Sequence, residues 1–345
     1  MKSIIDRIQP TKNTVPIFKS DRFRDTKDPC PVFDGENWHI YGSGGSVLEE
    51  IWQVLHATAP SLDGPWLEED PAVLIGLNGP HVAAPGVLFD QKDKLFHMFI
   101  QKDFLSLGGT VEYLTSPDGK IFTCQNTPLS PLPASGEAGL YDPHPAEYGG
   151  VKYLVYSGTP EVRHLGSRFV SKPDLYIATS LSGEWAGPWQ RQGKILDHQD
   201  IDWHHNRRED EESYEWGMEG AQIIELPNRH VLLNATCFLP RGDFGTRQRV
   251  FFAIAESVVG PYYSIGPIMQ VLPDGATGEN GHATLYSHEG RLYLFYQARS
   301  FGGDSSSLGP TWQYGLAAFD AANLERVLVE YLKSDKSSYN YQLYR

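Results

Sequence analysis

Asp28-Pro29-Cys30-Pro31-Val32-Phe33, followed after a short polar turn by Trp38-His39-Ile40-Tyr41-Gly42-Ser43, reads as two short β-runs, and the pairing returns four more times. The returns are Ala84-Pro85-Gly86-Val87-Leu88-Phe89 with Leu95-Phe96-His97-Met98-Phe99-Ile100, and Asp142-Pro143 onward with Lys152-Tyr153-Leu154-Val155-Tyr156-Ser157. Then come Glu219-Gly220-Ala221-Gln222-Ile223-Ile224 with His230-Val231-Leu232-Leu233-Asn234, and Gly281-His282-Ala283-Thr284-Leu285-Tyr286 with Arg291-Leu292-Tyr293-Leu294-Phe295-Tyr296. Equivalent positions in this alignment carry Asp28, Ala84, Asp142, Glu219 and His282, spaced 56, 58, 77 and 63 residues apart. A period of that size belongs to a β-propeller blade, which buries its faces only against neighbouring blades.

The reading is therefore an all-β, five-bladed β-propeller with about four antiparallel strands per blade. It forms a single domain over 1–345, with blades near 28–75, 84–131, 142–196, 219–271 and 281–332. Composition agrees: 18 Tyr, 16 Phe and 8 Trp alongside 34 Gly and 24 Pro describe many aromatic-rich strands cut by tight turns. Four units carry a turn and an aromatic after the third strand: Gly64-Pro65-Trp66, Gly119-Lys120-Ile121-Phe122, Gly187-Pro188-Trp189 and Gly260-Pro261-Tyr262. The fifth has Asp320-Ala321-Ala322-Asn323 instead, and either 325–332 or the N-terminal run 15–18 is left to close the ring. The extra length of the third unit lies at 161–171 and 198–218, on the face where the repeated carboxylates emerge.

A net charge of −14 repels a phosphate backbone, so nucleic acid is excluded as a partner. Cys30, Cys124 and Cys237 are too few and too scattered for a disulfide framework or a zinc site, and read as small buried hydrophobes in a reducing compartment. The N-terminus has no apolar core of a signal peptide, and no stretch is long enough to span a bilayer. The expectation is a soluble, cytoplasmic chain without a membrane partner, its oligomeric state open.

Asp28, Asp142 and Glu219 supply what glycosidic hydrolysis needs. One carboxylic acid protonates the leaving oxygen, one carboxylate activates water or attacks, and a third can set their pKa values apart. An isolated Asp-Pro more often marks a turn, but acids at a crowded axis cost several kcal/mol unless paired and are seldom kept for packing. The order of these motifs resembles glycoside hydrolase family 43: five-bladed propellers that hydrolyse arabinosides and xylosides with inversion. The resemblance covers nearly the whole chain. It implies Asp28 as general base, Asp142 as the residue that orients the acid and raises its pKa, and Glu219 as general acid. It also implies that His282 in Gly-His faces substrate or a metal-water cluster, and that Arg299 approaches the acidic pair. No cofactor is then required, and a structural divalent cation near the axis, at His282, is the one metal the resemblance allows. Two departures are visible: Ala221 where Pro usually follows Glu-Gly, and Lys27 where Arg or His usually precedes the Asp.

Blade geometry puts Phe104, Trp203, Trp216 and Trp312 on the acidic face with His81, as rings on which a carbohydrate can stack or as loop packing. His198, His204 and His205 with Asp197, Asp200 and Asp202 offer metal-binding atoms, but at no recognised ligand spacing, and read better as a solvated loop; so does 209–212. Two alternatives stay open. One is a retaining fructan-type glycosidase or transferase, of whose motifs the chain matches only the acids. The other is a carbohydrate-binding propeller without catalysis.

Overall fold

The structure, a computed structural model, describes residues 4–46, 51–77, 81–103, 109–160, 162–165, 168–171, 173–198, 217–241, 245–268, 278–300 and 311–334. Five antiparallel sheets stand around an axis as the blades of a β-propeller. From the axis outward the first blade is Asp25–Phe33, Trp38–Ser46, Ile51–Ala59 and Leu67–Glu68. The second is Val82–Asp90, Leu95–Lys102, Thr110–Ser116 and Ile121–Leu129, with Val73–Ile75 added in parallel at its edge. The third is Gly139–Tyr148, Val151–Thr159, Asp174–Ser180 and Trp189–Leu196, and the fourth is Met218–Glu225, Val231–Arg241, Gly245–Ala255 and Tyr263–Pro267. The insertion at 161–171 forms a small hairpin, Val162–Leu165 against Arg168–Ser171.

The fifth blade settles how the ring closes. Its strands are Gly278–His288, Arg291–Ser300 and Gln313–Asp320, and the outermost is the N-terminal Lys12–Phe18, with Lys12 opposite Ala318 and Thr14 opposite Leu316. The other candidate, 325–332, lies within the helix Ala321–Lys333, whose N-cap Asp320 accepts from the Asn323 N–H at 2.6 Å. Leu324, Val327, Leu328 and Tyr331 follow a helical period and pack on Phe252, Ile254 and Phe319. No helix among the described residues is long and apolar enough to cross a membrane.

One apolar cluster fills each interface between blades. Tyr41, Met98 and Phe122 lie between the first and second, for example, and Phe18, Ile40, Phe295 and Tyr314 join the fifth to the first. All three cysteines are free; Cys30 and Cys237 are buried, and burial pushes the Cys30 thiol up to about 12. Phe18 is 7% exposed and its ring centroid lies 5.7 Å from that of Tyr314, so it fixes the closing strand to the first blade. Phe18→Ala is expected to cost about 3–5 kcal/mol, read as a lower urea midpoint. An unchanged midpoint would mean that closure does not depend on this contact.

Candidate active site

Each innermost strand breaks its ladder at the same place. In the first blade Lys27 faces Ser43 and Cys30 faces Tyr41, so Asp28 and Pro29 bulge toward the axis. The same irregularity sets out Ala84 and Pro85, Asp142 and Pro143, Gly220 and Ala221, and, in a shorter form, His282. The first residue of each bulge is left-handed: φ is 56° at Asp28, 50° at Ala84, 49° at Asp142, 60° at Gly220 and 29° at His282. For residues other than glycine that conformation costs about 1–2 kcal/mol each, and such strain gathers where function constrains the backbone.

This register corrects the alignment of the fourth repeat. The bulge residue is Gly220, and Glu219 stands one place earlier, opposite Thr236, as Lys27 stands opposite Ser43. Glu219 therefore joins the cluster from the layer that also holds Lys27, while Asp28, Asp142, Gly220 and His282 line the axis itself. Matching acid to acid hid the offset, although a glycine inside a strand pattern, here Gly220 at a left-handed φ, is itself a sign of a bulge.

A side chain from the preceding blade accepts the backbone N–H at most of these bulges. Gln297 Oε1 accepts from Asp28 (3.0 Å), Ser43 Oγ from Ala84 (2.8 Å), Gln101 Oε1 from Asp142 (2.7 Å) and Thr236 Oγ1 from His282. At the third-to-fourth interface the equivalent residue is Ser157, whose buried hydroxyl has no partner among the described residues. There the Asp142 carboxylate takes over, Oδ2 accepting from the Gly220 N–H at 3.1 Å. Asp142 thereby holds the backbone next to Glu219.

His282 Nδ1 lies 3.1 Å from Asp28 Oδ1 and 3.9 Å from Asp142 Oδ1. Burial, the largest cause, pushes the Asp142 carboxyl above its ordinary range; His282 opposes this and Asp28 adds to it. Lys27 supplies a cation that sequence reading noticed only as a departure. Burial draws its ammonium toward neutrality, but Asp28, Glu219 and Asp142 outweigh burial and hold its pKa above the usual value. Its Nζ lies 5.5 Å from the Trp52 ring centroid and 5.9 Å from that of Trp312. Beneath the axis, burial lowers His144 to about 4 and keeps it neutral.

The remaining expected residues sit further out. Arg299 bonds the buried Glu279 through Nε and lies 4.4 Å over Trp312, so two groups already occupy its guanidinium. Trp312 is 3% exposed; in place of a face open to carbohydrate it offers one to Arg299. His81 is half-buried, its backbone bridged to Trp52. Phe104, Trp203 and Trp216 lie outside the described residues. Gly220 has a second reason to be glycine: a Cβ there would stand 3.0 Å from His282 Cγ. Gly220→Ala is expected to push His282 off Asp28 and to cost about 1–2 kcal/mol from the left-handed φ, seen as a lower thermal midpoint together with reduced turnover.

Among the described residues, two trios bring metal-binding atoms within 4.8 Å of one another, Asp90, Asp93 and His97, and Asp174, Asp197 and His198; neither includes His282. The second trio already holds the Lys194 ammonium, 2.6 Å from Asp174 and 2.8 Å from Asp197. Asp200, Asp202, His204, His205 and 209–212 lie outside the described residues. The axial pocket encloses about 10 Å³. A larger cavity of about 430 Å³ opens at the other end of the axis, meeting the first at His144 and Thr284. Its lining includes Phe33, Phe89 and Tyr286 with Asp90, Glu147 and Glu225, but none of Asp28, Asp142 and Glu219.

No family model matches the chain, and no curated protein matches it in sequence. Solved structures do match in fold. The catalytic domain of a GH62 α-L-arabinofuranosidase from Coprinopsis cinerea is 15% identical, covers 91% of this chain and 98% of its own, and superposes with a TM-score of 0.67. An α-L-arabinofuranosidase from Podospora anserina in complex with cellotriose is 15% identical over 91% of this chain and 97% of its own, at a TM-score of 0.62. A thermostable family-43 glycoside hydrolase is 14% identical over 90% of each chain, at 0.61. The five-bladed propeller found here is the fold of the family 43 and family 62 glycoside hydrolases.

Proposed function

We propose that this protein is a glycoside hydrolase acting on a pentoside, and that it works with inversion. The observation that carries the reading is the joining of three carboxyl groups from three blades. Asp28 and Asp142 emerge from equivalent strained bulges at one axis, and the Asp142 carboxylate holds the backbone beside Glu219. A carbohydrate-binding protein has no need of strained, buried acids, and names of solved structures sharing the fold include arabinofuranosidases and a xylosidase.

In this reading Asp28 takes a proton from water as it attacks the anomeric carbon, and His282 orients that carboxylate through Oδ1. Glu219 gives its proton to the departing oxygen. Asp142 fixes Glu219 through the Gly220 N–H, and Lys27 offsets part of the negative charge of the three acids. Inversion needs the base and acid carboxyls roughly 6.5–9.5 Å apart, leaving room for the water. No step uses a metal.

The test is a panel of aryl α-L-arabinofuranosides, β-xylosides and galactosides, with fructans added, against the wild type and Asp28→Ala. Turnover of a pentoside that disappears in the variant supports the reading, and the first-formed anomer seen by proton NMR separates inversion from retention. Turnover of fructans alone would move the assignment to the retaining alternative. Silence on every substrate, with saturable binding of free oligosaccharides, would make it a binding protein.

A further inference from the structure

We infer that Gln248 and Gln297 form an amide relay that ties Asp28 to Glu219 and directs the proton of Glu219 to Oε2, making both positioning residues. The inference rests on Glu219 being the acid of the proposed reaction. Its geometry is continuous: the Asp28 N–H donates to Gln297 Oε1 at 3.0 Å, and Gln297 Nε2 donates to Gln248 Oε1 at 2.7 Å. Gln248 Nε2 then donates to Glu219 Oε1 at 3.2 Å.

The direction of the relay is fixed by chemistry. A backbone N–H can only donate, so Gln297 must turn its oxygen toward Asp28 and its NH₂ toward Gln248. Gln248 must then receive with its oxygen, which leaves its NH₂ facing Glu219. An oxygen that accepts an amide hydrogen bond is not the one that carries a carboxylic proton, so the proton of Glu219 belongs on the other oxygen. Were either amide reversed, two donors or two acceptors would face each other in a buried site, at a cost of about 1–3 kcal/mol.

The surroundings are shaped to this arrangement. The Gln248 N–H donates to Glu279 Oε2 at 2.8 Å, and Glu279 is held by Arg299, so that arginine acts on the acids through Gln248. Gly281 leaves the space: a Cβ there would stand 2.2 Å from Gln248 Oε1 and 2.9 Å from Gln248 Cβ. Gln297 and Gln248 are both buried. The relay spans three blades, the fourth through Gln248 and Glu219, the fifth through Gln297 and the first through Asp28. The backbone of Asp28 and the carboxyl of Glu219 are therefore linked through side chains as well as through the ring.

Two measurements on the full chain test this. In ¹⁵N-labelled protein, the side-chain NH₂ signals assigned to Gln248 by their loss in Gln248→Met should move with pH in the wild type. They should stop moving in Glu219→Gln. This readout needs no substrate, so it decides the relay even if no glycoside is turned over, a result that would count against the proposed function alone. On whichever aryl glycoside is hydrolysed, Gln248→Met should lose about 100-fold in kcat with a phenyl leaving group and change little with dinitrophenyl, KM being similar for both. Gly281→Ala, which displaces Gln248 without altering it, should reproduce that split and serves if Gln248→Met does not fold. Equal losses on both leaving groups, or Gln248 signals indifferent to Glu219, would overturn the inference.

Discussion

Glu219→Gln is expected to lower kcat by about 10²–10⁴ on phenyl glycosides and far less on dinitrophenyl glycosides, with a thermal midpoint close to the wild type. Glutamine keeps the length of the side chain and an oxygen able to accept from Gln248 Nε2, so that contact survives. What disappears is the transferable proton. A dinitrophenolate leaves without one, whereas a phenolate needs it, so the ratio of the two rates isolates that single event from binding and folding. Steady-state kinetics on both substrates, with circular dichroism as the control for folding, gives the result. Equal rates for variant and wild type on the phenyl substrate would remove Glu219 from the reaction.

Asp142→Asn is expected to raise stability at neutral pH while lowering turnover by about 10²-fold or more. The sign follows from the direction of the shift. The folded state holds the Asp142 proton more tightly than the unfolded chain, because burial disfavours its charge. Its favourable contribution is therefore present below the unfolded carboxyl pKa of about 3.9 and is lost as pH rises through the higher folded value. Asparagine is neutral throughout and still offers an oxygen to the Gly220 N–H. Urea midpoints of the two proteins should separate above that folded value, the variant being the more stable, and draw together in acid. Turnover falls because the ionisable partner of Asp28 and His282 is gone. A variant less stable than the wild type at neutral pH would show that the carboxylate is stabilising where it lies.

Much of this was legible in the residues, and the parts that were not share a cause. The blades could be read because each repeats apolar runs at a fixed spacing, and Asp28, Asp142 and His282 fall at equivalent turns of that repeat. Closure of the ring could not be read from apolar content alone, since 15–18 and 325–332 both carry apolar residues. The spacing of Leu324, Val327, Leu328 and Tyr331 does carry the period of a helix, and that signal was available. The displacement of Glu219 from the bulge was missed because the acids were matched to one another, although Gly220 is the residue best suited to the left-handed bulge position. Gln248 and Gln297 belong to no motif; an amide becomes informative only when both of its ends are seen to be occupied. Whether Trp312 stacks on sugar or packs locally was left open by the sequence, which shows an aromatic ring and not the guanidinium resting on it.

The pairing of Lys12–Phe18 with Gln313–Asp320 has a bearing on how the chain is made. Lys12–Phe18 is made long before Gln313–Asp320, so this pairing forms only after the later strand has emerged. Contacts this distant in sequence slow folding, and an unpartnered strand edge invites association with other chains. A nascent chain stopped before Gln313 would expose the apolar residues that Phe18 and Tyr314 cover in the finished ring, and chaperone engagement during translation should persist until Gln313–Asp320 has emerged.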